Sequence, residues 1–107
     1  MDNFIFSAEE EKAMVGILYN HLVFGTTMEV AGELNKEGVN RLENLRSLLG
    51  KLLRKYSLSD ALGSEAYLTL GLADFISKDK LIEFSKDEKN KHLQNRANYL
   101  LKKYDKQ

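Results

Sequence analysis

The residues with the best spacing to bind a metal are three glutamates and one glutamate–histidine pair. Glu29, Glu33 and Glu37 lie at successive i, i+4 positions, so a continuous helix would place their carboxylates on one face. Glu88 and His92 have the same spacing and could present two ligands to one ion. Di-iron helical bundles use a Glu-x-x-His motif, which the chain lacks. Such pairs are common on solvated helix faces, so we expect neither a metal nor a cofactor.

Other kinds of catalytic chemistry find little support in the sequence. The chain has no cysteine, which excludes disulfides, thiolate metal sites and cysteine nucleophiles. It has no glycine-rich phosphate loop of either common pattern and no serine nucleophile elbow. We therefore expect no catalytic residue and predict that the protein is not an enzyme.

One side of the C-terminal segment, predicted to be a helix over about residues 86–104, carries a strip of basic and aromatic residues. On a helical wheel this strip lies beside a core stripe of Leu93, Ala97 and Leu100. We call the following five residues the basic strip and treat them as candidates for binding a partner: Lys89, His92, Arg96, Tyr99 and Lys103. An acidic protein surface or a nucleic-acid backbone could dock along it. The alternative is a purely solvated strip, whose aliphatic stems flank the core stripe.

The first helix, predicted over about residues 8–24, is apolar nearly all round, which is typical of a buried helix. The segment 64–76 has the same character, and two such helices are difficult to bury in one small chain. The sequence therefore predicts a symmetric homodimer with the first helix at its interface. The candidates for self-association are Met14, Ile17, Leu18, His21 and Leu22. The alternative is a monomer whose apolar groove accepts a helix of another protein.

His21 falls among the apolar residues of the first helix, and no second ligand lies near it on that helix. We expect it to be a buried, neutral histidine with a hydrogen-bond acceptor nearby. If it lies in a dimer interface, protonation would weaken the association.

The fold class follows from helical periodicity together with the absence of proline and of any long alternating segment. We predict a single domain over residues 1–107, an all-α compact bundle of four to five helices. The predicted segments are 8–24, 27–35, 38–56, 64–76 and 86–104. Capping boxes at Ser7/Glu10 and Ser85/Glu88 mark two helix starts, and Ser64 is expected to cap a third. Whether Gly38 breaks or continues a helix is left open by the sequence.

The stretch LENLRSLLGKLLRKY, residues 42–56, predicts the most regular amphipathic helix of the chain. Its leucines and Tyr56 fall within an arc of about 140° on the wheel, and the polar residues occupy the rest. The basic residues scatter over the polar face, which favours packing against other helices over binding to a phosphate backbone.

Composition and charge complete the prediction. The net charge is zero, yet residues 1–37 hold seven acidic residues and two lysines, whereas residues 77–107 hold nine basic and five acidic residues. No stretch reaches the ~20 apolar residues of a membrane span, and we expect a cytoplasmic protein that does not bind membranes. The composition of this small chain, which is rich in lysine and asparagine and free of proline and cysteine, suggests a bacterial or phage accessory protein. The predicted function is a homodimeric protein-interaction module, an adaptor, regulator or inhibitor; the alternative is a nucleic-acid-binding regulator.

Overall fold

Five α-helices account for most of the residues that the structure describes. The computed structural model describes residues 5–105, without the side chains of Ala61, Tyr104 and Asp105. The helices are α1 (Ala8–Val30), α2 (Lys36–Lys55), α3 (Ser64–Leu70), α4 (Lys78–Ser85) and α5 (Lys91–Asp105). Two 3₁₀ turns, Ser59–Ala61 and Ala73–Phe75, lie before and after α3. No strand occurs within the described residues, so the predicted all-α bundle is confirmed.

Side-chain caps fix the starts of the two long helices. At α1 the predicted capping box is present, because Ser7 Oγ accepts from the Glu10 N–H at 3.1 Å and Glu10 Oε1 accepts from the Ser7 N–H at 2.8 Å. At α2 the cap is Asn35, whose side-chain oxygen accepts from the Gly38 N–H at 2.8 Å. Gly38 therefore continues a helix and lies in its first turn.

The predicted break near residue 25 and the helix over 27–35 are wrong. α1 runs through Gly25-Thr26-Thr27 without interruption, and the chain turns only between Val30 and Lys36. Thr27 donates its hydroxyl to the Val23 carbonyl of the preceding turn at 2.9 Å, and Thr26 donates to the Leu70 carbonyl at 3.0 Å. Glycine and threonine often occur in turns, but here the two threonines form hydrogen bonds within α1 and to α3.

The second half of the chain is divided more finely than predicted. The segment 64–76 ends as a helix at Leu70, because Gly71 adopts the left-handed conformation with φ of 75°. Gly63, and not Ser64, occupies the N-cap of α3.

The helix α4 was not predicted, and it ends at Ser85, whose hydroxyl donates to the Ile82 carbonyl at 2.6 Å. The second capping box is therefore wrong, and α5 begins only at Lys91.

The helices pack around one core of leucines. α1 and α2 form an antiparallel hairpin, in which Glu11 contacts Lys55 and Tyr56 at one end while Gly25 packs against Leu42 nearer the other. α3 packs against α1 and α5, and α4 packs against α5. The buried apolar side chains are Leu18, Leu22, Leu42, Leu49, Leu52, Leu53, Tyr67, Leu68, Leu70, Leu72, Ile76, Leu81, Leu93, Ala97 and Leu100.

The apolar face predicted for residues 42–56 is confirmed, since its leucines and Tyr56 are all buried or half-buried. The prediction that its basic residues scatter to solvent is wrong at one position, because Arg46 is buried.

No helix within residues 5–105 combines the length and the apolar character needed to cross a membrane.

Two glycines of α1 test how closely α1 and α2 pack. A Cβ on Gly25 would lie 2.4 Å from Leu42 Cδ2, whereas a Cβ on Gly16 would meet nothing within 4 Å. We expect Gly25→Ala to lower the free energy of unfolding by about 1–3 kcal/mol through overpacking. Gly16→Ala, the matched control, should raise it by about 0.5–1 kcal/mol through its better helix propensity. Urea denaturation of both variants measures this, and a stabilising Gly25→Ala would contradict the packing described.

Candidate functional site

A buried ion pair joins the two long helices. Glu29 near the end of α1 accepts through Oε1 from Arg46 Nη2 of α2 at 2.6 Å, and both side chains are almost completely enclosed. The same guanidinium donates through Nε to the Leu70 carbonyl at 2.8 Å and through Nη2 to Thr26 Oγ1 at 2.8 Å. Arg46 therefore ties α1 and α2 to the C-terminus of α3, where the carbonyls at a helix end attract a cation.

α5 completes this arrangement from the other side. Tyr99 donates its hydroxyl to Glu29 Oε2 at 2.6 Å, and Lys103 Nζ lies 3.7 Å from the same oxygen. Lys103 also contacts Glu43, which in turn accepts from Arg46 Nη1 at 3.0 Å. We call these five residues the ion network: Glu29, Glu43, Arg46, Tyr99 and Lys103.

Within the ion network, the pKa of Glu29 is lowered and the pKa of Tyr99 is raised. Burial by itself raises the pKa of Glu29, but the hydrogen bonds from Tyr99 and Arg46 and the charges of Arg46 and Lys103 outweigh it, leaving the pKa below the ordinary 4.5. Burial, followed by the hydrogen bond to Glu29, raises the pKa of Tyr99. Glu29 is therefore an anion and Tyr99 a neutral donor at neutral pH.

The basic strip predicted on α5 divides into two parts. Arg96, Tyr99 and Lys103 turn toward the neighbouring helices, where Tyr99 and Lys103 belong to the ion network and Arg96 donates to Thr27 Oγ1 at 2.6 Å. Lys89 and His92 are exposed. Three of the five residues thus contact groups of their own chain, which the wheel of a single helix does not reveal.

The candidates for self-association divide in the same way. Leu18 and Leu22 are buried in the core, Met14 is half-buried against it, and Ile17 and His21 are exposed. The buried histidine expected at position 21 is wrong. His21 is exposed, whereas Leu18 and Leu22, which lie beside it on the helix surface, are buried in the core.

The apolar residues that α1 leaves outside were only partly identified from the sequence. Ile17 is 68% exposed, Phe24 is 75% exposed and Met28 is 41% exposed. Spacings of seven and four residues place them on one face of the helix, together with His21. We call these four residues the α1 stripe. Phe24 and Met28 were missed as candidates because an all-round apolar helix gives no signal of which side faces the core.

The acidic residues considered as metal ligands are kept apart by the fold. Glu29 is buried in α1, Glu33 lies in the turn after it, and Glu37 lies in the first turn of α2, so no single helix carries the three. Glu88 precedes α5, whereas His92 lies within it. Within residues 5–105, no group of three or more histidine, aspartate or glutamate side chains is arranged to hold a metal ion.

Comparisons with known protein families, with curated proteins and with solved structures found no match to this chain.

Removal of the Glu29 charge tests the ion network. We expect Glu29→Gln to lower the free energy of unfolding by about 3 kcal/mol at pH 7, because Arg46 is left buried without its main counter-ion. The control is Glu43→Gln, whose side chain is 43% exposed; it should cost at most about 1 kcal/mol. Equal effects of the two substitutions in urea denaturation would contradict the central place of Glu29.

The pH dependence of the same variant has a definite sign. Because the pKa of Glu29 is depressed in the folded chain, its contribution is complete above the ordinary value of 4.5 and is lost as pH falls through the folded value. Between pH 6 and pH 3, roughly the range of carboxylate titration, the wild type should therefore lose more stability than Glu29→Gln. Parallel curves for the two proteins would show that Glu29 is not the titrating group.

Two glycines with the same backbone conformation test the approach of Arg46 to α3. Gly32 and Gly71 both have φ of 75°, but a Cβ on Gly71 would lie 2.7 Å from Arg46 Nε, while one on Gly32 would meet nothing. Gly32→Ala should cost about 1–2 kcal/mol from backbone strain alone. Gly71→Ala should cost at least about 1 kcal/mol more, since it also displaces the guanidinium. Equal losses on thermal and urea denaturation would count against that second contribution.

Proposed function

We propose that the protein is a non-enzymatic protein-interaction module that acts as a homodimer, with the α1 stripe of one chain packed against that of a second copy. The observation that carries this proposal is the exposure of Ile17, Phe24 and Met28 on one face of the longest helix. Apolar side chains grouped in this way are typical of interaction surfaces.

The contrast between the two strongly apolar segments supports this choice of surface. Tyr67, Leu68, Leu70, Leu72 and Ile76 of the segment 64–76 are all buried within the chain. That segment therefore needs no partner. Among the described helices, α1 alone leaves large apolar side chains strongly exposed, so a partner gains most by covering α1.

The order of residues along α1 suits a second copy in antiparallel orientation. When two α1 helices pair about a twofold axis between positions 20 and 21, Ile17 of each faces Phe24 of the other, and Ala13 faces Met28. Two large apolar pairs then lie on either side of the centre, and the small Ala13 leaves room for Met28 at each end of the contact. Asn20 and His21 meet at the centre, where two polar side chains are able to fix the register.

The size of the surface predicts a dimer that dissociates on dilution. Ile17, Phe24 and Met28 together expose roughly 350 Å², judged from the full side-chain areas of such residues. Standard stable interfaces bury about 800 Å² on each partner. The flanking residues along the ~35 Å length of α1 must supply the remainder, so we expect a weaker interface than that of an obligate dimer.

Charge substitution in the α1 stripe tests the proposal. We expect wild-type protein to change from dimer to monomer on dilution, measured by light scattering or sedimentation equilibrium. Ile17→Glu and Phe24→Glu should each weaken the dimer at least tenfold, because a carboxylate would be buried without a partner. The control is Asn40→Glu, which adds the same charge at an exposed position of α2. Monomeric wild type at every concentration would overturn the proposal.

Single-cysteine variants separate the antiparallel register from a parallel one, and the cysteine-free chain makes each thiol unique. In the antiparallel pair, Asn20→Cys places two thiols near the twofold axis, within reach of a short bis-maleimide. Ala13→Cys places them about 22 Å apart, at 1.5 Å of rise per residue. Only Asn20→Cys should cross-link; equal cross-linking of both variants would indicate a parallel pair and contradict the register proposed.

A further inference from the structure

Arg96 is buried in α5, and no carboxylate among the described side chains contacts it. It is 2% exposed, and within the described residues its contacts are the Thr27 hydroxyl at 2.6 Å and the His92 carbonyl at 3.4 Å, the latter a weak bond. Its Nε is buried with no hydrogen-bond partner. Burial lowers the pKa of Arg96, yet an arginine keeps its charge in proteins. Within the described residues, the fold therefore encloses a cation that no carboxylate contacts.

The comparison with Arg46 shows how unusual this environment is. Arg46 is also buried, but it contacts two carboxylates, a hydroxyl and a backbone carbonyl. A buried charge without such partners strongly destabilises the folded state. A group that supplies the missing negative charge to Arg96 would recover part of this cost.

Arg96 lines an open groove of about 420 Å³ between α1 and α5. The groups around it are cations and hydrogen-bonding side chains: His92, Asn95, Asn98 and Lys102 from α5, with Thr27 from α1. No acidic side chain of the described chain lines the groove, and Val30 and Ala31 form an apolar wall. The lining thus combines positive charge, neutral polar groups and an apolar patch, as small-molecule sites commonly do.

We propose that this groove binds a small organic anion, whose phosphate or carboxylate group pairs with Arg96 and Lys102. A guanidinium recognises both groups well, because its N–H donors match their oxygens. The groove is larger than one inorganic oxyanion, and the apolar wall formed by Val30 and Ala31 accommodates the rest of the molecule. This site is independent of the dimer proposed above.

The binding test uses inorganic phosphate, glycerol phosphate and succinate as probes, with sodium chloride at equal ionic strength as the reference. Isothermal titration and the thermal midpoint should show saturable binding of at least one probe, with Kd no weaker than about 10 mM. Stronger binding of glycerol phosphate than of succinate assigns the head group as phosphate, and the reverse order assigns it as carboxylate. No saturable binding of any probe would overturn the proposal.

Two matched lysine variants locate the site. Lys102→Gln removes a cation that lines the groove, whereas Lys89→Gln removes an exposed cation outside it. We expect Lys102→Gln to weaken the best probe at least fivefold and Lys89→Gln to change it less than twofold. Equal weakening would indicate only general attraction to positive charge and would contradict the site.

The variant Ile17→Glu should bind the probe as the wild type does. The experiment can therefore distinguish failure of the dimer proposal from failure of the anion-site proposal.

His92 provides a second readout that does not depend on folding stability. Partial desolvation of the imidazole, and then the nearby Arg96 charge, lower its pKa in the free protein. The other charged group of the groove is Lys102, the raised pKa of Tyr99 keeps that phenol neutral, and the lining residues of α1 carry no titratable side chain. A bound anion should therefore raise the pKa of His92, measured by NMR of the imidazole. An unchanged pKa at saturating probe would place the anion elsewhere and overturn the assignment.

Discussion

The contact between the Arg46 guanidinium and the Glu29 carboxylate holds together parts of the chain that hydrophobic packing alone would not align. One planar group reaches α1 through Glu29, α3 through the Leu70 carbonyl, and its own helix through Glu43. Tyr99 adds α5 by donating to the second oxygen of Glu29. Four of the five helices therefore share one small set of hydrogen bonds, although the leucine core supplies most of the apolar burial.

Enclosed charges of this kind are tolerated only when their hydrogen-bonding positions are filled. Both oxygens of Glu29 accept bonds, and all three nitrogens of the Arg46 guanidinium donate. The backbone adapts to the same requirement, since Gly71 leaves room for the guanidinium at the end of α3. Arg96 departs from this rule, and its groove is correspondingly the part of the molecule where a ligand has most to contribute.

Local patterns predicted the local features of this fold well. The capping box at Ser7, the apolar face of α2 and the all-α class follow from propensity and periodicity. Predictions from the sequence were wrong where a side chain binds a residue far along the chain. Gly25-Thr26-Thr27 was predicted to be a turn because the partner of Thr26, the Leu70 carbonyl, lies 44 positions away. Arg46 and Arg96 looked like surface cations for the same reason. Their partners cannot be identified from one helix.

The absence of a polar side on α1 has a consequence for how that helix is oriented. Apolar residues surround it almost completely, so burial alone gives little preference for one rotation about the helix axis over another. Thr26 and Glu29 do distinguish these rotations, because they reach Leu70 and Arg46 in only one rotation of α1 about its axis. We infer that these polar contacts fix the rotation of α1 about its own axis. In doing so, they decide that Ile17 and Phe24 face outward and Leu18 and Leu22 face inward.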